Sequence, residues 1–334
     1  MRAMLLEQPA PVEQAPLRLV DLPVPEPGPG ELRLRVRLCG VCRTDLHVVE
    51  GELPPQCRRI VPGHQVVGEV DALGPGCTRF APGQRAGIAW LRSTCGTCER
   101  CRRGDENLCA QARFTGYHAD GGYAEYAVVR EAFAYALPDA IADAEASPLL
   151  CAGIIGYRAL RRAAIRPGGR LGLYGFGASA HIAIQVARHL GCRVFVMTRE
   201  EKHRRLAAAL GAEWTGGATA APPEPLDSAV LFAPAGELVP PALEALDRGG
   251  TLALAGIYLT DVPPLDYQRH LFYERTLRSV TANTRRDGEE LLQIAAAIPI
   301  RPHTVPFRLE DANTALQQLK HDGFEGAAVL RVAG

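Results

Sequence analysis

The chain has 334 residues, of which 47% are hydrophobic and 22% charged, and its 37 basic residues balance 37 acidic ones. This length exceeds a single core of ordinary size and predicts two domains. Because basic residues are not in excess, we do not expect nucleic acid or a membrane surface as a partner. The sequence contains no run of about 18 apolar residues, so we expect no membrane-spanning helix. The first residues lack the apolar centre of a signal peptide, so we expect a cytoplasmic protein.

The first part of the chain, to about residue 147, is predicted to be rich in β-structure. Residues 32–38 alternate apolar and cationic side chains, which is the period of a strand with one solvent-facing side. Short apolar runs at 66–73 and 87–91 are separated by turns that contain glycine and proline. This pattern predicts a small barrel or folded sheet.

The pattern changes near residue 147 to alternating helices and strands. Buried apolar strands that alternate with helices predict a parallel, doubly wound α/β sheet of Rossmann type over residues 148–280. Residues 281–334 are expected to return to the first domain, which then comprises residues 1–147 and 281–334. The apolar spacing predicts helices at 147–164, 178–190, 200–210, 288–297 and 309–320, and strands at 170–174, 193–197, 228–232, 251–255 and 327–332.

A glycine-rich turn lies between the first predicted strand and helix of this second domain. Residues 175–180 read Gly-Phe-Gly-Ala-Ser-Ala and fit the pattern G-x-G-x-x-A. Glycines there permit a tight turn and the close approach of a pyrophosphate to the helix N-terminus. Gly175, Gly177, Ala178 and Ala180 are therefore predicted to bind a dinucleotide. A glycine-rich turn without a ligand is the alternative, because so short a motif also arises by chance.

The end of the second predicted strand bears on the choice between NAD and NADP. An NAD site places a carboxylate there for the ribose hydroxyls, whereas this strand ends in Thr198 and Arg199. A hydroxyl followed by a cation suits a 2′-phosphate, so we favour NADP over NAD. Glu200 and Glu201 follow immediately and would favour NAD if the strand ended later.

Four closely spaced cysteines predict a structural metal site. Four thiolates at such spacing can surround Zn²⁺ tetrahedrally and leave no open position. An iron–sulfur cluster is the alternative, since cysteine runs also ligate iron. The four residues are Cys95, Cys98, Cys101 and Cys109.

A second group of possible metal ligands consists of cysteine and histidine residues that are far apart in the sequence. Cys42 begins a hexapeptide that ends at His47, and His64 follows a glycine. A catalytic zinc has three protein ligands and an open fourth position, and Cys151 is the candidate for the third ligand. Spacing alone leaves Cys151 undecided, because a lone cysteine is more often a packing residue.

Taken together, these motifs resemble those of the zinc-dependent alcohol dehydrogenases of the medium-chain dehydrogenase/reductase superfamily, over essentially the whole chain. The resemblance implies a GroES-like catalytic domain beside the Rossmann domain, one catalytic and one structural zinc per chain, and a homo-oligomer, either a dimer or a tetramer. The motifs that carry it are residues 42–47, 62–64, the four-cysteine loop, 120–126, 151–153 and the turn at 175–180.

The resemblance also implies roles for single residues. Cys42, His64 and Cys151 match the ligands of the catalytic zinc, and the four-cysteine loop matches the structural zinc. The remaining matches are Thr44, which hydrogen-bonds the alcohol; His47, which ends a proton relay; Asp45, which orients His64; Arg43, which lies at the cofactor pyrophosphate; and Trp90, which narrows the alcohol pocket.

The function implied is a hydride transfer between an alcohol and NAD(P). The zinc-bound alcohol would become an alkoxide by losing its proton through Thr44 and the cofactor ribose to His47. The same fold acting on a polyol or an aromatic alcohol is one alternative, and a non-catalytic NADP-binding zinc protein is another. Of four departures from the family pattern, at Gln65, Ile155, Ala180 and Ala327, the first bears on the metal site, because Gln65 stands where Glu usually follows the ligand histidine. We hypothesise that this neutral amide lowers the pKa of the bound alcohol.

Overall fold

The computed structural model describes residues 1–298 and 300–332. These residues divide into two compact units, one of Met1–Cys151 with the described residues from Ala282 onward, and one of Ala152–Thr281. The domain limits inferred from the sequence, 147/148 and 280/281, stay a prediction. No helix within the described residues is both long and apolar enough to cross a membrane.

The N-terminal part of the chain consists mainly of short strands. Leu32, Leu34 and Val36 are fully buried on one side of a long strand, which confirms the alternation seen in the sequence. The strands are β1 (Arg2–Leu6), β2 (Leu17–Asp21), β3 (Glu31–Val41), β4 (Gln65–Leu73), β5 (Arg85–Ile88), β6 (Leu91–Ser93), β7 (Arg113–Phe114), β8 (Tyr126–Arg130) and β9 (Ala134–Ala136), and the helices are α1 (Arg43–Glu50), α2 (Glu99–Arg102) and α3 (Asp143–Pro148).

Strands and helices alternate in the middle of the chain. Its central strands are apolar and buried along their length, as a sheet covered on both faces requires. The elements are α4 (Ile154–Arg162), β10 (Arg170–Tyr174), α5 (Ala178–His189), β11 (Arg193–Met197), α6 (Glu201–Ala209), β12 (Trp214–Gly216), β13 (Leu226–Leu231), α7 (Val239–Glu244), β14 (Leu246–Leu254), α8 (Tyr267–His270) and β15 (Thr276–Ser279).

The C-terminal part pairs with the N-terminal strands. Strands and helices here are α9 (Arg285–Ala297), β16 (Thr304–Arg308), α10 (Ala312–Lys320) and β17 (Ala327–Arg331). Strand β17 lies antiparallel to β3, with Ala328 opposite Val41. The described strands of this sheet follow the order β16-β17-β3-β4-β5-β9, and β8 also pairs with β3.

The sheet of the second unit has the strand order of a dinucleotide-binding fold. Within the described residues, six parallel strands follow the order β12-β11-β10-β13-β14-β15, which is 3-2-1-4-5-6 in the numbering of the unit itself. The order in which strands are added reverses between β10 and β13, and ligands of such folds bind at the carboxyl ends of the strands there. The predicted doubly wound Rossmann sheet is confirmed, and the other unit is rich in β-strands, as predicted.

Two predicted elements are interrupted, and each interruption carries a candidate site residue. The helix predicted at 147–164 is split by a π-turn at Leu149–Gly153, directly after Pro148. Proline lacks the N–H that an α-helix needs, and widened turns of this kind are often found at functional sites. The strand predicted at 87–91 ends at Ile88, so Trp90 lies in a bend before β6.

A buried ion pair links the four-cysteine loop to the C-terminal part of the same unit. Glu106 is 6% exposed and accepts hydrogen bonds from the backbone N–H and the guanidinium of Arg285, the first residue of α9. Nη2 of Arg285 lies 2.7 Å from Oε2 of Glu106, and its Nε lies 3.0 Å from Oε1. The guanidinium also lies 4.6 Å from the ring centre of Phe133.

We expect Glu106→Gln to lower the free energy of unfolding by about 2 kcal/mol, because removal of one charge leaves a partly buried guanidinium without its counter-ion. Denaturant unfolding of the zinc-loaded protein measures the change. Glu99→Gln is the matched control, since Glu99 is 87% exposed and pairs with Arg103, the residue directly after its own short helix. Equal stability of both variants would contradict the expectation.

Candidate active site

Helix α1 carries the first group of predicted site residues. Cys42 is its N-cap, and the Cys42 N–H donates to Asp45 Oδ2 over 2.9 Å. A carboxylate in the first turn satisfies a free N–H and interacts favourably with the helix dipole. Thr44 and His47 are three residues apart, which places both on one face of the helix.

The close approach of the Tyr123 ring to the backbone explains why a glycine precedes His64. Gly63 has φ of +96°, and a Cβ at this position would lie 2.3 Å from the ring of Tyr123. Only glycine fits, and the chain then enters β4 with the His64 side chain 1% exposed. His64 Nδ1 lies 3.0 Å from Asp45 Oδ1. This bond leaves Nε2 free to act as a ligand.

Cys42, His64 and Cys151 come together although they are far apart in sequence. The Cys42 and Cys151 sulfurs are 3.8 Å apart, and His64 Nε2 is 3.5 and 3.3 Å from them. A tetrahedral zinc, with bonds of about 2.3 Å to sulfur and about 2.0 Å to nitrogen, separates two sulfurs by about 3.8 Å and sulfur from nitrogen by about 3.5 Å. The donor atoms therefore fit a zinc ion with a fourth position open.

Charge in this cluster also favours a bound cation. Burial lowers the pKa of His64, but the Asp45 carboxylate and Cys42 outweigh it and raise the value to about 10. Contact with Cys151 and burial together raise the pKa of Cys42 well above its usual range. The imidazole of His64 therefore favours its positively charged form. The Cys42 thiol, in contrast, favours its neutral form over a thiolate that has no cation bound to it. A divalent ion satisfies both conditions, because it replaces the proton and neutralises the sulfurs.

The four cysteines of the loop also converge. Their sulfur atoms all lie within 4.8 Å of one another, with Cys95 Sγ 3.9 Å from Cys101 Sγ and 3.5 Å from Cys109 Sγ. Backbone N–H groups, including that of Cys98 at 3.3 Å, lower the pKa of Cys95 to about 6. Burial raises the pKa of Cys101 to about 11, so the support does not extend to all four thiols. Four sulfurs this close together nevertheless suit a closed structural zinc site.

Trp90 is part of an aromatic cluster beside the ligand histidine. Its ring centre is 4.9 Å from that of His64 at an edge-on angle of 71°. It stacks on Phe114 at 4.9 Å and on Tyr117 at 5.9 Å. Neither Phe114 nor Tyr117 was singled out in the sequence, since nothing in the spacing of residues 90, 114 and 117 signals their contact.

A further residue missed by sequence reasoning contacts the predicted relay. The carboxylate of Glu52 meets Nδ1 of His47. Glu52 follows the end of α1 by two residues, and a loop carboxylate five positions after a histidine has no helical periodicity that would signal the contact. Thr44 is partly buried on the same helix.

Arg43 is exposed, unlike the neighbouring candidate ligand Cys42, which is partly buried. Its side chain is 52% exposed, and its guanidinium is 3.4 Å from the carboxylate of Asp322. It precedes Thr44 in the first turn of α1. The assignment of Arg43 to a cofactor pyrophosphate stays a prediction.

The glycine turn of the second unit lies between β10 and α5. Gly175 has φ of +84°, and a Cβ there would meet the backbone of Ala233 at 2.9 Å. Gly177 is the N-cap of α5, and a Cβ added to it would meet nothing within 4 Å. Ala178 opens the helix, and Ala180 is fully buried. The turn thus leaves open space at the helix N-terminus, where a phosphate is favoured.

Thr198 and Arg199 follow the carboxyl end of β11, as the strand prediction requires. Thr198 is 4% exposed and its N–H donates to the carbonyl of Gly216. Arg199 is exposed. Arg204 in α6 donates to the carbonyls of both residues, at 2.9 and 2.6 Å, and also pairs with Glu201.

Gln65 is buried at the start of β4. It is 2% exposed, and its carbonyl accepts a hydrogen bond of 2.9 Å from Ser147. Its amide packs over Gly40, where a Cβ would lie 2.8 Å from the amide carbon. Nε2 of Gln65 is buried without a hydrogen-bond partner among the described residues. The effect of this amide on the alcohol pKa stays a prediction.

Comparisons with known proteins agree with this arrangement. The family model for the alcohol dehydrogenase GroES-like domain matches residues 28–139, and that for zinc-binding dehydrogenases matches residues 178–297. A "Probable alcohol dehydrogenase AdhA" of Mycobacterium tuberculosis is 54% identical over 99% of this chain and 97% of its own length. An alcohol dehydrogenase of Geobacillus stearothermophilus is 32% identical over 99% of this chain and all of its own.

Solved structures show the same fold. A cinnamyl alcohol dehydrogenase of Sorghum bicolor superposes with a TM-score of 0.89 at 26% identity, over 100% of this chain and 98% of that one. A thermostable alcohol dehydrogenase of Pyrobaculum aerophilum gives a TM-score of 0.88 at 28% identity, over 99% of both chains. With these matches over nearly its whole length, the chain belongs to the zinc-binding alcohol dehydrogenases of the medium-chain dehydrogenase/reductase superfamily.

Proposed function

We propose that the protein is a zinc-dependent alcohol dehydrogenase, and in reverse an aldehyde or ketone reductase, that transfers a hydride between its substrate and NAD(P). The observation that carries this proposal is the convergence of Cys42 Sγ, His64 Nε2 and Cys151 Sγ, at separations of 3.3 to 3.8 Å. Three ligands leave the fourth tetrahedral position for a substrate oxygen, unlike the four-cysteine site. Relatives named alcohol dehydrogenases support the same activity.

Each residue of the site has a separate task in this mechanism. Cys42, His64 and Cys151 would hold the zinc, which when bound supplies a Lewis acid that polarises the substrate oxygen and makes an alcohol more acidic. Asp45 accepts the Nδ1–H of His64 and so directs Nε2 toward the cysteines. Thr44 would hydrogen-bond the substrate oxygen, and His47 would take up the proton at the end of the relay.

The second metal has a structural role in this proposal. The loop that holds Cys95, Cys98, Cys101 and Cys109 contains little regular structure beyond the four-residue α2 and a short 3₁₀ turn. Such a loop needs cross-links to keep one conformation, and a zinc tetrathiolate supplies them. We therefore propose two zinc ions per chain.

For the nucleotide we favour NADP over NAD. Thr198 and Arg199 stand at the position where an NAD site has a carboxylate. The side chain of Arg199 is exposed, whereas Glu201 is drawn into a pair with Arg204 at 2.6 Å. A cation at the end of the strand suits the 2′-phosphate, although the carboxylate of the next residue, Glu200, is also exposed. Gly175, Gly177, Ala178 and Ala180 would hold the pyrophosphate, with Arg43 as a further basic contact.

Among substrates, the aromatic cluster favours a flat alcohol. Trp90 stacks on two other rings beside His64, so it presents a rigid planar surface. This favours an aromatic alcohol over a polyol, which needs polar partners for its hydroxyls. A non-catalytic NADP-binding zinc protein is the competing class, and the intact set of Thr44, His47 and the zinc ligands argues against it.

A homo-oligomer, dimer or tetramer, is also part of the proposal. Strand β15 is an outer strand of the parallel sheet in the part of the chain that the structure describes. Large apolar side chains of the same unit are exposed, which is typical of surfaces buried by association. They are Ile257, Tyr258, Val262, Tyr267, Phe272 and Tyr273. A cytoplasmic location stays a prediction from the sequence.

Metal analysis tests the two-site arrangement. We expect two zinc ions per chain in the wild type and one in Cys151→Ser, because loss of one of three ligands weakens only the open site. Alcohol oxidation by Cys151→Ser should fall below detection. Cys192→Ala is the control, since Cys192 is buried in the second unit and its thiol contacts only the Arg166 carbonyl among the bonds described. A wild type with one zinc or none would refute the catalytic-site assignment.

The cofactor preference is tested with Arg199→Asp. We expect the ratio of kcat/KM with NADP to that with NAD to fall by about 10- to 100-fold, because a charge-assisted bond is lost and a carboxylate repels the phosphate. Arg205→Asp makes the same charge change on exposed surface of α6 and should leave the ratio near the wild-type value. An unchanged ratio in Arg199→Asp would show that Arg199 does not select the cofactor.

The departure at residue 65 is tested with Gln65→Glu. A carboxylate beside the ligand His64 disfavours loss of the alcohol proton, so the pH–rate profile for alcohol oxidation should move to higher pH. Gln8→Glu adds the same charge at an exposed position and should not move the profile. A profile of Gln65→Glu that coincides with the wild type counts against our hypothesis.

A further inference from the structure

The chain makes a sharp turn after α1 that returns a carboxylate to this helix. Gly51 ends α1 with φ of +78°, and a Cβ at this position would lie 2.9 Å from Cβ of Pro9. The N–H of Leu53 then donates to the carbonyl of His47 over 3.2 Å. This turn holds Glu52, between Gly51 and Leu53, against the imidazole, where Oε2 meets Nδ1 of His47.

The environment of this pair distinguishes it from an ordinary surface contact. The His47 side chain is 19% exposed and that of Glu52 is 59% exposed. A neutral imidazole carries its proton on one nitrogen and accepts with the other, and the partner of one nitrogen decides which. A carboxylate at Nδ1 requires the proton there, and leaves the lone pair on Nε2.

We propose that Glu52 is a positioning residue of the proton relay, which holds His47 in the Nδ1–H form so that Nε2 accepts the proton at the end of the relay that begins at Thr44. On receiving it the ring becomes an imidazolium, and it returns the same proton from Nε2 in the reverse reaction. Glu52 stays a carboxylate throughout and takes no proton. This inference rests on the proposed function, because it assumes that His47 ends the relay.

A residue that only stabilised the fold would change the melting temperature when it is replaced, whereas a positioning residue changes the reaction rate. An ion pair with one partner more than half exposed contributes little to folding stability, so its removal should leave the melting temperature nearly unchanged. Loss of the preferred tautomer, in contrast, weakens general-base catalysis, whose full contribution is about 10²- to 10⁴-fold, in proportion to the fraction of His47 that no longer carries its proton on Nδ1. The rate and the stability therefore respond differently if Glu52 positions His47.

The tautomer can be observed without turnover. In protein labelled with ¹⁵N-histidine, the two ring nitrogens of neutral His47, assigned by their loss in His47→Gln, report which of them carries the proton. We expect the Nδ1–H form in the wild type and in Glu52→Gln, which keeps an acceptor oxygen, and a shift toward Nε2–H in Glu52→Ala. Glu7→Ala is the matched control, since Glu7 is 56% exposed and pairs with Arg18 instead. An Nε2–H form in the wild type, or no change in Glu52→Ala, would overturn the proposal.

Kinetics of the zinc-loaded enzyme give the second measurement. We expect Glu52→Ala to lower kcat for alcohol oxidation about 10-fold with little change in KM, Glu52→Gln to recover most of the loss, and Glu7→Ala to match the wild type. In the His47→Gln background, Glu52→Ala should have no further effect, because it acts only through that ring. Additive losses would overturn the inference.

The two proposals fail in different ways. If the wild type does not oxidise alcohols, or His47→Gln leaves the rate unchanged, the proposed function or its relay is wrong, whatever the spectra show. If His47→Gln lowers the rate while Glu52→Ala does not, the relay stands and only the role of Glu52 is refuted.

Discussion

The carboxylate of Asp45 connects the elements on which the site depends. One oxygen accepts the N–H of Cys42 at the start of α1, and the other lies 3.0 Å from Nδ1 of His64 at the start of β4. Asp45 is 2% exposed, so both bonds form in a medium of low dielectric, where a charged acceptor is strong. One side chain thus begins the helix and orients a ligand from a strand.

Glycines and one proline allow this arrangement to close. At Gly63 the ring of Tyr123 occupies the space that a Cβ would need. This close approach lets the next residue, His64, contact Cys42. Pro148 ends α3 and is followed by the π-turn that carries Cys151. The ligand positions therefore arise from backbone features that have a steric reason, and each lies next to the ligand that it places.

Around the ligands, the surface chemistry separates two kinds of function. Trp90, Phe114 and Tyr117 provide an apolar, planar wall beside His64. Thr44 and His47 lie on helix α1, and Glu52 contacts His47. In the proposed function the first set acts on substrate choice and the second on proton transfer, so substitutions in one should leave the other largely intact.

The sequence by itself determined most element types, the strand-then-helix rhythm of the second unit and the four-cysteine loop as a candidate metal site, because periodicity, glycine turns and closely spaced cysteines are local properties. It did not determine that Cys151 joins Cys42 and His64, since residues more than 80 positions apart meet only through packing. Nor did it indicate the stack of Trp90 on Phe114 and Tyr117, or the contact of Glu52 with His47. These depend on how strands pair and how a turn returns the chain, which only the tertiary structure decided.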